Sequence, residues 1–151
     1  MVPLIVLLAV TTAARATGAL GVPYLSSWPG AIAVGLAAMF ALTGASHFVP
    51  RRRPGFVAIV PPVLRHPETL VALTGVLELL GAAALLAPPG WGHLRVGAAW
   101  GLALLLVAMF PANVYASRAH RSAESPHTPL PQRTAMQCVF IAAALWVALA
   151  S

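Results

Sequence analysis

The chain has 151 residues, enough for one compact domain. Hydrophobic residues make up 60% of it and charged residues only 8%, where a soluble domain carries about 25% charged residues. With a mean hydropathy of +0.86, this composition excludes a soluble enzyme, a disordered tail and a secreted disulfide scaffold. It predicts an all-α polytopic transmembrane helical bundle.

The formal net charge is +6, from nine arginines against three glutamates, with no lysine and no aspartate. Because most arginines fall in two loops, anionic lipid headgroups are the expected partner. Nucleic acid is not expected, since no basic helix or aromatic platform accompanies the charge. Cys138 is the single cysteine, so an intramolecular disulfide or a dithiol relay is excluded. Any redox work would pass through a cofactor, a quinone or a partner protein.

A bilayer core about 30 Å thick needs about 20 apolar residues per helix. Five segments satisfy this requirement: residues 2–21, 29–49, 68–87, 92–112 and 134–150. Together they are predicted to form a single membrane domain, 1–151. Proline, glycine and serine separate them. Residues 50–67 contain the apolar run FVAIV, which is too short to cross. An interfacial segment is predicted there, with a re-entrant loop or a loop packed on the helix ends as the alternatives.

Five spans place alternate loops on opposite faces of the membrane. One face receives seven arginines and the other only two, Arg15 and Arg95; the seven are Arg51, Arg52, Arg53, Arg65, Arg118, Arg121 and Arg133. The positive-inside rule then predicts a multi-pass cell-membrane protein with a cytoplasmic N-terminus and an outside C-terminus. The first span could instead be a signal peptide, but it lacks a basic start, and retention is favoured.

Glu78 is the strongest functional signal. It lies ten residues into the third predicted span, which is about 15 Å at 1.5 Å per residue and therefore close to the bilayer centre. An ionisable group at this depth is energetically costly in hydrocarbon, so Glu78 should face the bundle interior. Thr74 and Gly75 lie one turn before it. Either Glu78 is functional or it only fixes helix packing, and Arg15 is the candidate for a structural ion pair with it.

Three further polar residues fall at a common level near the predicted cytoplasmic side. His47 ends the second span, with Thr43 one turn before it; Asn113 ends the fourth span, after Pro111; and Gln137 lies one turn into the fifth. Each has an ordinary structural explanation. For Asn113 this is a hydrogen bond to the backbone that Pro111 frees. Together they describe a cavity open to the cytoplasmic half, with Glu78 at its floor. His47 and Glu78 are the catalytic candidates, and Thr43, Thr74, Asn113 and Gln137 are the ligand-binding candidates.

Other motifs receive plainer interpretations. Gly97-x-x-x-Gly101 indicates close helix packing. No zinc-spaced Cys/His set, phosphate loop or nucleophile elbow is present, and no metal site is expected.

Several spaced runs resemble the DoxX-like family of small bacterial membrane proteins. They cover about residues 30 to 150 and comprise GASHF at 44–48, Phe56, IVPP at 59–62, LTGVLE at 73–78, Pro88, FPANV at 110–114, LP at 130–131 and Gln137. The resemblance implies a four-helix core to which the first span is an addition. It also implies a redox association, and recurrent polar positions at His47, Glu78, Asn113 and Gln137. It does not extend to the thiosulfate:quinone oxidoreductase subunits of the wider group.

Three functions remain open on these observations. The first is a redox-associated subunit that binds a quinone or another small lipophile, with His47 and Asn113 on the carbonyls, Glu78 passing protons, and a redox partner protein supplying electrons. The second is a non-redox enzyme that isomerises or cyclises an apolar metabolite, with Glu78 as the acid and His47 as the base. The third is a non-catalytic scaffold subunit. A transporter is weaker, since five short spans would need to form a homo-oligomer.

Overall fold

The computed structural model describes residues 1–118 and 128–150, and these residues form helices and turns without a strand. All helices except the short third one are long and apolar enough to cross a membrane. The predicted all-α bundle is therefore confirmed. In chain order the helices are α1 (Val2–Ala19), α2 (Trp28–Ser46), α3 (Arg53–Ala58), α4 (Pro67–Leu85), α5 (Gly92–Arg118) and α6 (Leu130–Ala150).

The long helices follow from the absence of water in a bilayer core, where a spanning segment must satisfy its own backbone hydrogen bonds. Local signals set their ends. The Ser27 side chain accepts a hydrogen bond from the Gly30 backbone N–H at 3.2 Å and so caps the start of α2. After α1, Gly21 adopts a φ of 103°, a conformation that glycine reaches without steric cost.

Most boundaries fall within a few residues of those predicted, and the fourth span differs most. Its helix, α5, continues through Pro111 to Arg118, six residues beyond the predicted end at 112. A proline inside a membrane helix is tolerated where neighbouring helices supply hydrogen bonds to the freed backbone. The predicted interfacial segment, 50–67, contains α3 between turns. Arg121, which contributes to the predicted charge asymmetry, lies outside the described residues.

Helix α2 is the centre of the bundle. Half of its span is buried (50%), against 17% for α1. It contacts α1, α4 and α6, while α5 contacts α4 and α6, so that α2, α4, α5 and α6 form a closed ring with α1 against the outside of α2. The largest fully buried side chains come from three helices of this ring and are Leu36, Met39, Phe40, Leu85 and Val147.

The bundle has two distinct ends. At the hairpin end, 3₁₀ turns at Pro23–Leu25 and Pro89–Trp91 join α1 to α2 and α4 to α5. Arg95 is buried there; it donates to the Ala87 carbonyl at 2.8 Å and lies 4.8 Å from the centre of the Tyr24 ring. The opposite end is called the arginine-rich end, where α2 and α5 finish and α1, α4 and α6 begin.

Within the described part of the chain, the Gly97-x-x-x-Gly101 motif does not mediate close packing, contrary to the sequence expectation. Both glycines are exposed, and a Cβ added to either one would meet nothing within 4 Å. Close packing occurs instead at Gly81, where an added Cβ would lie 2.6 Å from Leu102 of α5. Spacing alone identifies a flat helix surface and does not specify its partner.

A polar cavity at the arginine-rich end

Two pairs of polar side chains connect α2 to α4. Each helix contributes residues four positions apart, Thr43 and His47 from α2 and Thr74 and Glu78 from α4, and this spacing places them on one face of the helix. Because the helices are antiparallel, Thr43 meets Glu78 deep in the bundle, while His47 meets Thr74 nearer the arginine-rich end. Four predicted site residues are therefore brought together.

Glu78 is buried between the helices, with 3% of its surface exposed. The Thr43 hydroxyl donates a hydrogen bond of 2.5 Å to its Oε2 atom. The interior orientation predicted for this residue is therefore observed, and its described partner is a neutral hydroxyl.

Arg15 does not pair with Glu78. The structure places this side chain at the hairpin end, where its Nη1 atom donates to the carbonyls of Leu25 and Ser26 at 3.1 and 2.7 Å. Its guanidinium also lies 5.0 Å from the centre of the Trp28 ring. Similar depth on two helices was the basis for the predicted pair, but α1 packs against α2 and directs Arg15 to the turn that follows its own helix.

His47 is held in one orientation by two neighbours. Its Nδ1 atom lies 3.0 Å from the Val71 carbonyl oxygen, which can only accept, so Nδ1 carries the proton and donates. The ring packs against Phe56 of α3 with 4.6 Å between centroids. In a neutral imidazole this arrangement leaves Nε2 as an acceptor, and among the described residues nothing donates to it.

Asn113 and Gln137 form a second polar group, between α5 and α6. Asn113 Nδ2 donates to Gln137 Oε1 at 2.9 Å, and Gln137 Nε2 donates to the Leu106 carbonyl at 2.5 Å. The expectation that Asn113 itself would bond the backbone near Pro111 is therefore wrong. Gln137, from the neighbouring helix, is the side chain that bonds the α5 backbone, at the Leu106 carbonyl, one residue before the Val107 carbonyl that Pro111 frees.

Arg133 extends this second group. Its side chain is 8% exposed, and it donates to Asn113 Oδ1 at 3.3 Å and to the Thr128 carbonyl at 2.7 Å. Arg133 precedes Gln137 by four residues, a spacing that already places both on one face of the helix in the sequence, although Arg133 was not among the predicted site residues.

The two polar groups border one cavity of about 400 Å³ at the arginine-rich end. Its polar lining includes Thr43, Ser46, His47, Asn113 and Gln137, with Arg52 and Arg133 at the same end. Apolar side chains complete the wall, among them Leu42, Leu106, Met136 and Phe140. Of the predicted site residues, Glu78, Thr74 and Arg15 do not line it. Glu78 lies behind Thr43, so that a threonine rather than a carboxylate forms this part of the wall.

Helix α1 also contributes to the cavity, a role that hydropathy does not reveal. Met1, Val2 and Pro3 line its opening. A second groove, of about 360 Å³, lies between α4 and α5, but its lining is apolar apart from His93. No group of three metal-ligating side chains occurs in the parts of the chain that the structure describes.

Fold and cavity together define a class: a multi-span helical membrane protein with a polar cavity at one end of its bundle. The chain belongs to the family described as Domain of unknown function (DUF8561), whose model matches residues 36–148. That match includes every predicted site residue except Arg15, and it begins within α2. No curated protein and no solved structure matches the chain. The resemblance to the DoxX-like family stays a prediction.

Proposed function

We propose that this integral membrane protein binds a small lipophile of the quinone type in the cavity at the arginine-rich end, as part of a redox-associated system. The observation that supports this is the composition of the cavity wall, where His47, Thr43, Asn113 and Gln137 meet apolar side chains around about 400 Å³. Pockets for small lipophiles are of this size and combine an apolar wall with a few placed polar groups.

The hydrogen-bonding inventory favours the reduced, hydroxyl-bearing form of such a ligand. With Nδ1 donating to Val71, a neutral His47 offers Nε2 as an acceptor for a ligand O–H group. Asn113 Nδ2 has two hydrogens and uses one on Gln137, so the second can donate to a ligand oxygen. His47 Nε2 as an acceptor and Asn113 Nδ2 as a donor, on opposite walls of the cavity, suit a ring with two oxygen substituents.

Glu78 has an indirect role in this proposal. Thr43 borders the cavity and also donates to the carboxylate, so it links the ligand to a group that does not line the wall. A proton that leaves a ligand hydroxyl for Thr43 Oγ1, while the threonine proton moves to Glu78, would reach the carboxylate without charge separation in the apolar core. Electrons would have to come from or go to a redox partner protein.

A second candidate is a membrane enzyme that isomerises or cyclises an apolar metabolite without redox chemistry. It is favoured by the fixed orientation of His47, whose Nε2 atom can serve as a base, one helical turn from the Thr43–Glu78 pair. This candidate needs no electron donor.

Binding of decylubiquinol to protein purified in a neutral detergent tests the first function. We expect His47→Gln to weaken binding by about tenfold, the effect of losing one well-placed hydrogen bond. His93→Gln is the matched control, because His93 is exposed on the second groove. Equal binding by both variants, or none by the native protein, would contradict the proposal. Turnover of an apolar substrate without quinone, abolished by Glu78→Gln, would establish the second candidate.

A further inference from the structure

The lining of the cavity is polar near the arginine-rich end and becomes apolar deeper in the bundle. This gradient indicates which class of ligand the cavity can bind. On α6 the lining residues run from Arg133 through Gln137 to Phe140, and on α5 they run from Asn113 to Leu106. In both helices the charged or amide residue lies nearer the arginine-rich end, and the apolar one lies deeper. A ligand that satisfies this wall has a polar head at the membrane surface and an apolar part pointing inward.

Among the described residues, the charged side chains at the opening are positive. Arg52 is exposed at the mouth, and Arg133 lies in the wall with its guanidinium hydrogen-bonded to Asn113 and Thr128. None of the described residues that line the cavity is acidic. Guanidinium groups bind carboxylate and phosphate more strongly than neutral oxygens, because the hydrogen bonds are charge-assisted.

The depth of the cavity limits the length of the apolar part. Arg133 and Phe140 are seven residues apart on α6, which corresponds to about 10 Å at 1.5 Å per residue. An acyl chain of a bilayer phospholipid extends over half of the hydrocarbon core, about 15 Å. This length of wall therefore matches a single short chain or a small ring system.

We propose that the cavity selects an anionic, single-chain amphiphile, with its carboxylate or phosphate at Arg52 and its apolar part between Leu106 and Phe140. This inference rests on the proposed function only in that it uses the same lipophile-binding cavity, and it goes beyond the quinone-type ligand by assigning to that cavity a second, acidic class of ligand. Arg52 sets the preference for charge at the mouth, whereas His47 and Asn113 contact the ligand further in.

Octanoic acid and octan-1-ol are matched probes, because they differ only in the head group. Their dissociation constants are measured by titration calorimetry at about pH 8, where the acid is ionised. We expect the native protein to bind the acid about fivefold more tightly than the alcohol, a difference suited to a partly exposed ion pair. Arg52→Gln should remove this preference.

Arg51→Gln is the control variant. Arg51 is the neighbouring exposed arginine and carries the same charge, but it does not line the cavity. The preference for the acid should persist in Arg51→Gln. An equal loss in both variants would show that only the overall positive charge matters, and would overturn the inference.

Three further outcomes test the inference, and the first two distinguish its failure from the failure of the proposed function. Equal binding of octanoic acid and octan-1-ol, with displacement of decylubiquinol by both, would overturn the acidic preference and leave the lipophile site intact. Failure of all three compounds to bind would overturn the proposed function as well. Displacement of octanoic acid by phosphatidylglycerol in mixed micelles would identify a membrane lipid as the source of the anion and contradict the limit to a single short chain.

Discussion

Gly44 of α2 and Gly75 of α4 face each other so closely that neither can carry a side chain. A Cβ on Gly44 would lie 2.9 Å from the Gly75 carbonyl oxygen, and a Cβ on Gly75 would lie 2.8 Å from the Cβ of His47. The atoms in the way belong to a helix backbone and to a fixed side chain, so they cannot move aside cheaply. This close approach allows Thr43 to reach Glu78 and His47 to reach Val71.

Gly44→Ala should therefore lower the stability of the bundle. We expect a loss of about 1–3 kcal/mol in the free energy of unfolding, the usual cost of overpacking a well-packed interface. Unfolding in detergent by heat or denaturant measures it. Gly97→Ala is the control, since an added Cβ there meets nothing within 4 Å. A Gly97→Ala loss as large as that of Gly44→Ala would contradict the explanation by close approach.

Thr43→Val should destabilise the protein more than Thr43→Ser. Valine removes the hydroxyl that donates to the buried Glu78 carboxyl, and a buried acceptor left without a donor costs about 1–3 kcal/mol. Serine keeps the hydroxyl. Glu78→Gln should be milder than Thr43→Val, because the glutamine side-chain oxygen can still accept from Thr43. Equal stability of the valine and serine variants would show that the hydrogen bond contributes nothing.

Gln137→Leu should weaken the contact between α5 and α6. The change leaves the Leu106 carbonyl and Asn113 Nδ2 without their described partner, and we expect a loss of about 1–3 kcal/mol. Gln132→Leu, on the same helix, removes only a long contact of 3.7 Å to the sulfur of Met1 and should have little effect. Equal losses in the free energy of unfolding for Gln137→Leu and Gln132→Leu would contradict a specific contribution of the Gln137 hydrogen bonds.

Arg15→Gln separates the observed position of Arg15 from the predicted one. Because Arg15 bonds the turn at the hairpin end and not Glu78, the variant should retain native decylubiquinol binding while losing some thermal stability. A loss of binding comparable to that of His47→Gln would mean that Arg15 does act on the site.

Orientation in the membrane can be tested with cysteine labelling in a Cys138→Ser background. Gly90 lies at the hairpin end and is exposed, while Arg51 is exposed at the other end. The positive-inside rule predicts that a membrane-impermeant maleimide added to intact cells labels Gly90→Cys and not Arg51→Cys. The reverse pattern would invert the assigned orientation.

Hydropathy could predict the helices because bilayer thickness sets both their length and their composition. The burial of Glu78 could be predicted from the sequence as well, because a carboxyl group that faces the hydrocarbon of the bilayer is energetically costly. Recognition of His47, Asn113 and Gln137 depended on depth along each span, which the rise per residue provides. These inferences use one helix at a time.

The remaining features depend on which helices are neighbours, and depth does not provide that information. Arg15 and Glu78 lie at similar depth, but α1 packs outside the ring, against α2, and so Arg15 does not reach Glu78. That Gln137 bonds the α5 backbone, while Asn113 bonds Gln137, depends on how α5 and α6 pack together. Arg133 shares a face with Gln137, but its hydrogen bonds join it to α5 and to the segment before α6.

The cavity wall draws on residues far apart in the sequence, from Met1 to Phe140. During synthesis α1 and α2 can pair as soon as they leave the ribosome, whereas the contact between α2 and α6 must wait until α6 has been inserted. The cavity wall is therefore complete only after α6 has joined the bundle. A truncated product that ends before α6 would retain α1 to α5 but would lack the part of the cavity wall that Arg133, Met136, Gln137 and Phe140 supply.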